Sequence, residues 1–200
     1  MWMIEKEMLE EGFSCICGVD EAGRGPLAGP VYAAAVVLPF GTDIQGLNDS
    51  KKLTERNREI LFKEITDIAV TYAIASADHK EIDRLNIQNA TYLAMNRAIE
   101  ALSPKPEIAL IDGNRDKDIK VKSRCIIGGD GKSALIAAAS ILAKVSRDRH
   151  MTYVAEKYPQ YLFEKHKGYG TKLHYERLRE YGPSEIHRSS FLKSVYGKEE

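Results

Sequence analysis

Ser14-Cys15-Ile16-Cys17-Gly18-Val19-Asp20-Glu21-Ala22-Gly23-Arg24-Gly25-Pro26 is an apolar run that meets two carboxylates and then a pair of glycines. Ser14–Val19 has the composition of a buried strand. A carboxylate at the end of such a strand is costly unless a partner or a cation meets it. The pattern recurs twice. Ile108–Ile111 leads to Asp112 and Gly113-Asn114, and Arg124–Ile127 leads through Gly128-Gly129 to Asp130. Singly, each acid has an ordinary explanation: a charged strand end for Asp20-Glu21, a turn for Asp112, a helix cap for Asp130. Jointly, acids just past the carboxyl ends of strands occupy the edge where open α/β sheets hold ligands. They would repel one another without a cation. Oxygen donors with little His or Cys nearby favour magnesium or manganese over zinc, and such a cation suits phosphate chemistry. Asp20 and Glu21 share one site only if the strand bends, which Gly23 and Gly25 permit.

Outward from this stretch, Val31–Leu38 is nearly all apolar and predicts a central strand. Thr54 caps a predicted helix reaching about Asp67, with Ile60, Leu61, Ile65 and Ile68 inward. Val70–Ala77 reads as a third strand, and residues 87–102 as a helix stopped by Pro104. A long helix is expected from Lys132 to about Tyr158, its alanine-rich first half suited to close approach to a sheet. Thr171 opens one more helix, closed by Gly182-Pro183, and Ser184–Glu200 reads as a short tail. The order β-β-α-β-α-β-β-α-α predicts a mixed α/β sheet with helices on its faces. The first two strands are close enough in sequence to pair antiparallel, and later strands separated by a helix are expected to be parallel.

Two hundred residues suit one domain with a short appendage. No apolar run is long enough to span a membrane, and the acidic start lacks the features of a signal peptide. Cys15, Cys17 and Cys125 lack C-x-x-C spacing and read as buried thiols of a reducing cytoplasm, the first two on one strand face. The net charge of zero hides segregation. Residues 1–50 hold 2 basic and 8 acidic side chains, residues 113–150 hold 9 and 4, and residues 161–200 hold 8 and 6 with three of the five histidines. An acidic site beside basic flanks suits a metal-dependent enzyme acting on a polyanion. Two nucleotide-binding patterns fail. Gly23 to Gly29 has the spacing G-x-G-x-x-x-G with Pro26 inside and a strand after it, and Gly131-Lys132-Ser133 lacks the first glycine of a phosphate loop because position 126 is Ile126.

The stretch Gly18–Pro26 resembles the signature of type 2 ribonuclease H, ribonuclease HII. The resemblance continues through Leu27–Val31, Asn48–Leu53, Ile111–Gly113, Gly129-Asp130, Ala138–Asp148 and His166–Thr171, in the expected order from about residue 14 to 191. It implies a ribonuclease H-like fold: a central five-stranded mixed sheet flanked by helices, with a catalytic core over 1–160 and a small C-terminal helical extension over 161–200 that contributes to substrate binding. It implies an endonuclease that hydrolyses the RNA strand of RNA–DNA hybrids and cuts 5′ to single ribonucleotides in duplex DNA, leaving 5′-phosphate and 3′-hydroxyl ends. Roles in removing ribonucleotides from DNA and RNA primers follow, for a cytoplasmic protein expected to be a monomer. Asp20, Glu21, Asp112 and Asp130 match the family's ligands for two divalent ions, Mg2+ or Mn2+, with Asp20 expected to bridge them.

Gly23-Arg24-Gly25 resembles the element that reads the 2′-hydroxyl through backbone groups; the alternative, a plain turn, is weakened by Arg24 between the glycines, since arginine suits a phosphate fork. Tyr169 would stack on the deoxyribose after the ribonucleotide, or merely anchor a glycine-rich loop. Ser50, Lys51 and Lys144 are candidate phosphate contacts. Lys51 and Lys52 equally suit a solvated surface, and Lys144 suits snorkelling along a helix. Arg147-Asp148-Arg149 suggests a local ion network. His166, His174 and His187 have no decisive role: nearby basic residues favour nucleic-acid contact, and ordinary surface histidines are the simpler reading. Competing functions are a resolvase or transposase on the same fold, a type 3 ribonuclease H, and a catalytically silent hybrid-binding module. Type 3 enzymes carry an extra N-terminal domain, for which about 13 residues before the first strand leave no room. The intact set of four acids disfavours the silent module.

Overall fold

Alternation along the first strand decides which helices cover which face of the sheet. The computed structural model describes residues 1–47 and 53–196, with side chains through Lys193. Here the strand expected at Ser14–Val19 is β1, Ile16–Ala22, so Asp20 and Glu21 are strand residues and not its flank. The others are β2 (Val31–Val37), β3 (Thr71–Ala77), β4 (Ile108–Asp112) and β5 (Ser123–Ile126). The sheet order is β3-β2-β1-β4-β5, which puts β1 at the centre. β1 pairs antiparallel with β2 and parallel with β4, and β4 pairs parallel with β5.

The expectation that a helix between strands makes them parallel fails for β2 and β3. They are antiparallel, with Val37 opposite Thr71 and Val31 opposite Ala77. The chain leaves β2 and returns to the same end of the sheet, where Val70 N–H donates to Val37 C=O at 2.9 Å. The intervening helix therefore crosses no sheet edge and imposes no parallel return.

The helices are α1 (Met3–Glu10), α2 (Glu55–Ile68), α3 (His79–Leu85), α4 (Ile87–Ala101), α5 (Ala134–Lys157), α6 (Phe163–His166), α7 (Lys172–Tyr181) and α8 (Ser189–Tyr196). Thr54 caps α2 and Thr171 caps α7 as read from sequence. Ile60 does not face inward; it is 56% exposed, while Leu61 and Ile65 carry the buried stripe. Helices α1, α3 and α6 have no counterpart in the sequence expectation, and α8 lies in the segment expected as a short tail. Ile16 and Ala22 of β1 join α2 and α5 in one apolar layer. Cys17 and Val19 join α4 in the other, with Cys15 beside them as expected.

Helix α5 lies directly on β1. A Cβ on Gly18 would stand 2.1 Å from the carbonyl carbon of Leu135, so glycine is what lets the two backbones meet. The buried alanines 137, 138, 139 and 143 continue that approach. The start of α5 is satisfied by the N-terminal segment. Glu5, buried on α1, accepts from Ser133 Oγ at 2.5 Å and from Leu135 N–H at 3.2 Å, and Ala134 N–H donates to Met1 C=O. A third apolar cluster joins Leu27 and Ala28 to Met151, Tyr161, Phe163, Leu178 and Leu192. The C-terminal helices thus pack against the loop that follows β1.

Candidate active site

Asp20 and Glu21 point to opposite faces of β1, as strand alternation requires. Asp20 turns toward α5, where the Ser140 hydroxyl hydrogen-bonds it, and its Oδ1 accepts from Glu21 N–H at 2.7 Å. Glu21 borders two clefts of about 300 Å³ each. One lies toward α4, with Arg24, Gln88, Thr91 and Asp112. The other lies toward α5, with Gly23, Arg58, Ser140, Lys144 and Tyr169. No bend is needed to bring the acids into one field, because Glu21 sits where the two clefts join.

Burial pushes the Asp20 carboxyl well above the usual carboxylate range, and the charges of Glu21 and Asp112 raise it further. Burial also raises Glu21, against the lowering effect of Arg24, whose Nη1 donates to Glu21 Oε1 at 3.2 Å. Asp112 ends β4 and accepts from Gly129 N–H at 2.7 Å. That bond ties it to the 3₁₀ turn Gly129–Gly131, which carries buried Asp130. Two strands and one turn therefore deliver the four acids to one edge of the sheet. Among the described residues, no three His, Cys, Asp or Glu side chains converge tightly enough to form a ready cation cage. The donor set is all oxygen, and two of its members are destabilised as anions. That fits an ion which binds through one or two carboxylates and keeps water in its other positions, as Mg2+ does.

Of the other expected residues, Gly23, Arg24, Gly25, Lys144 and Tyr169 come together. Gly23, Lys144 and Tyr169 line one cleft, and a Cβ on Gly25 would stand 4.0 Å from the Tyr169 ring. Tyr169 is 39% exposed, with the Arg147 guanidinium 5.5 Å and Lys144 Nζ 5.9 Å from its ring centre. Ser50 and Lys51, and Lys52 beside them, lie outside the described residues.

Three expectations need correction. Lys144 does not merely snorkel; its ammonium bonds Asp148 at 2.7 Å, and Arg58 reaches the same carboxylate at 4.0 Å. Arg147, Asp148 and Arg149 do not form one network. Arg147 is fully buried and donates to the carbonyls of Ala28, Pro30 and Lys167, while Arg149 pairs with Glu59. The C-terminal histidines are not surface groups. His174 Nδ1–H donates to Tyr169 C=O at 3.0 Å, so its Nε2 must accept the bond from His187 Nε2–H, also 3.0 Å. His187 Nδ1 then accepts from Ser184 N–H. His166 stacks on His174 at 4.3 Å and accepts from Gly168 N–H. This chain of neutral imidazoles holds the loop carrying Tyr169 from behind. Burial lowers the basicity of His174 and His187, each to about 4.

Sequence reasoning missed Gln88, whose Oε1 accepts from Arg24 Nη2 at 2.8 Å, and the cleft residues Arg58 and Ser140. It also missed Arg188, fully buried behind the Gly23–Gly25 loop. Nothing local marks any of them, since each is defined by a partner distant in sequence.

A central mixed sheet with acids at its edge and a helical C-terminal flank is the ribonuclease H-like architecture. The chain aligns with the ribonuclease H2 of Pyrococcus horikoshii at a TM-score of 0.74 and 29% identity, over 88% of this chain and 93% of that one. The ribonuclease HII of Archaeoglobus fulgidus, solved as a complex with PCNA, aligns at 0.73 and 26% over 92% and 97%. The chain belongs to the ribonuclease HII family, whose sequence profile matches residues 17–194. It is 57% identical to the ribonuclease HII of Caldicellulosiruptor saccharolyticus over 96% of this chain and 94% of that protein. Against the Idiomarina loihiensis protein it is 56% identical over 88% and 94%. It is accordingly a hydrolytic endoribonuclease. No helix among the described residues is long and apolar enough to cross a membrane.

Proposed function

We propose that this enzyme cuts the RNA strand of RNA–DNA hybrids and, at an isolated ribonucleotide in duplex DNA, the phosphodiester on its 5′ side. The observation that carries the proposal is the placement of the Gly23–Gly25 loop and Tyr169 side by side, next to Glu21 and the buried acids. A phosphodiester held over the acids would present its ribose to the loop and the following sugar to the Tyr169 ring. A deoxyribose offers that ring a flat face, where a 2′-hydroxyl would intrude. Gly23 and Gly25 let the sugar approach the backbone. Arg24, exposed and linked to Glu21 and Gln88, is placed to receive a phosphate. Lys144 and Arg58 add positive charge at the far side of the same cleft.

Asp20, Glu21, Asp112 and Asp130 would hold divalent ions, Mg2+ or Mn2+, with Asp20 the central ligand because it is buried and the charges of both Glu21 and Asp112 act on it. Bound there, two ions supply an activated water and stabilisation of the leaving 3′ oxygen. The protein's own contribution is to keep the carboxylates oriented: Asp20 through Ser140 and Glu21 N–H, Glu21 through Arg24, and Asp112 through Gly129 N–H.

The test is incubation of a duplex carrying one ribonucleotide with Mg2+ or Mn2+, read by product mapping. A single cut 5′ to the ribonucleotide is expected; no cut with either metal would eliminate the proposal in favour of a binding module. Asp112→Asn keeps the acceptor for Gly129 N–H, so it should lose cutting while retaining fold and duplex binding. Joint loss of binding and fold would assign Asp112 a structural role.

A further inference from the structure

We infer that Arg188, at the far end of the chain, is the positioning residue that sets the ribose-reading face of the Gly23–Gly25 loop, a role that rests on the ribose recognition proposed above. Arg188 is fully buried at the N-terminal end of α8. Its Nη2 donates to Gly23 C=O at 2.6 Å, its Nη1 to Arg24 C=O at 2.9 Å and its Nε to Gly29 C=O at 2.9 Å. Its own N–H donates to Leu27 C=O at 2.8 Å. Among the described residues it has no carboxylate within ion-pair distance. Its guanidinium lies 5.1 Å from the centre of the Phe191 ring, but every hydrogen bond it makes among the described residues goes to a backbone carbonyl. Such a buried charge is expensive, and three planar donors on one strut hold a loop in a way no single donor can.

The consequence follows from peptide geometry. In a trans peptide the C=O and the next residue's N–H point in opposite directions. Arg188 draws the Gly23 and Arg24 carbonyls inward, so the N–H groups of Arg24 and Gly25 face outward, beside Tyr169 and the cleft. Neither N–H donates to any group among the described residues. Two adjacent outward donors form a small concavity suited to an oxygen acceptor, here the 2′-oxygen of the ribose. Gly23 adopts φ +96°, and its Cα lies against Arg147, where a Cβ would stand 1.9 Å from Nε. Arg147 thus supports the loop from the side while Arg188 turns its peptides. Asp83 of α3 holds the Arg188 end of α8 in place by accepting from Ser189 N–H and Ser190 N–H, both at 2.9 Å.

The experiment measures binding by fluorescence anisotropy, with the full chain in EDTA, to two duplexes that differ only in one ribose or deoxyribose. Wild type should favour the ribonucleotide duplex. Arg188→Lys keeps the charge but not the three-pronged geometry, and should lose roughly ten-fold of that preference while its affinity for the all-DNA duplex is unchanged. Leu178→Ala, in the same C-terminal apolar cluster but away from the loop, is the control; it should lower the melting temperature without moving the preference. A preference retained in folded Arg188→Lys, or lost equally in Leu178→Ala, overturns the inference about Arg188. No preference in wild type instead overturns the ribose reading itself. Should Arg188→Lys not fold, the wild-type amide resonances decide. The Arg24 and Gly25 N–H signals and those of the Arg188 guanidinium should shift together with the ribonucleotide duplex and not with the all-DNA duplex. Loop signals that respond while the Arg188 signals stay fixed overturn the inference about Arg188, and an identical response to both duplexes overturns the ribose reading.

Discussion

Asp20 carries a conflict between stability and catalysis that one substitution can expose. Its carboxylate is buried among two other acids, so its ionised form costs free energy at neutral pH. Asp20→Asn keeps an oxygen acceptor for Glu21 N–H and removes the charge. In EDTA this variant should melt higher than wild type, by an equivalent of about 1–3 kcal/mol. Mg2+ should raise the wild-type melting temperature by binding the folded state alone. The same ion should leave Asp20→Asn unmoved, and the variant should not cut. Calorimetric scans with and without Mg2+ check all of this. A variant less stable than wild type in EDTA would mean that Asp20 is compensated in a way the site does not provide.

At the scale of elements, two junctions stand out. The first is β1 against α5, where Gly18 faces the Leu135 backbone. Neither backbone has a flexible end to yield, so Gly18→Ala should cost about 3 kcal/mol in chemical denaturation. An unchanged midpoint would mean that α5 can slide on the sheet. The second is the histidine chain behind the Tyr169 loop. His174 and His187 are buried and neutral, with basicity lowered to about 4 from the ordinary 6.5. Between those values the unfolded chain binds more protons than the folded one, so stability falls as pH drops from about 6.5 toward 4. The two histidines together should account for a few kcal/mol over that window. Urea midpoints across pH should show this loss, and it should shrink in His187→Asn; a pH-independent midpoint would refute neutral burial. Local patterning announced α2, α4, α5 and α7, because their caps and apolar spacing are nearby in sequence. Helix α1 was not legible, since Glu5 finds its partners at Ser133 and Leu135. Helix α8 was hidden for the same reason, its N-terminus being satisfied by Asp83.

For the whole molecule, zero net charge does not mean indifference to a polyanion. Of the acids in the first quarter of the chain, Asp20 and Glu21 lie at the sheet edge, while Arg24, Arg58 and Lys144 gather at its clefts. Duplex affinity in EDTA should therefore fall steeply with salt, with a log–log slope of about −0.9 for each phosphate neutralised. A flat dependence from anisotropy titrations would remove the electrostatic basis of binding. Lys144 is already engaged by Asp148, so Lys144→Ala should change that slope less than a free lysine would.

The sequence by itself determined five strand-like runs, the interior place of Val31–Leu38 in the sheet, the four acids as candidates and the family to which the motif blocks belong. These depend on composition and spacing within a few residues, where burial and backbone preference act directly. Only the tertiary structure decided that β2 and β3 run antiparallel, that the C-terminal histidines are buried struts, and that Arg147 and Arg188 hold the loop after β1. Arg188 and Gly23 are separated by 165 positions, and their bond exists only because α8 packs beside Leu27 and Ala28. A buried charge takes its role from the carbonyls that surround it, and no local pattern specifies which carbonyls those will be.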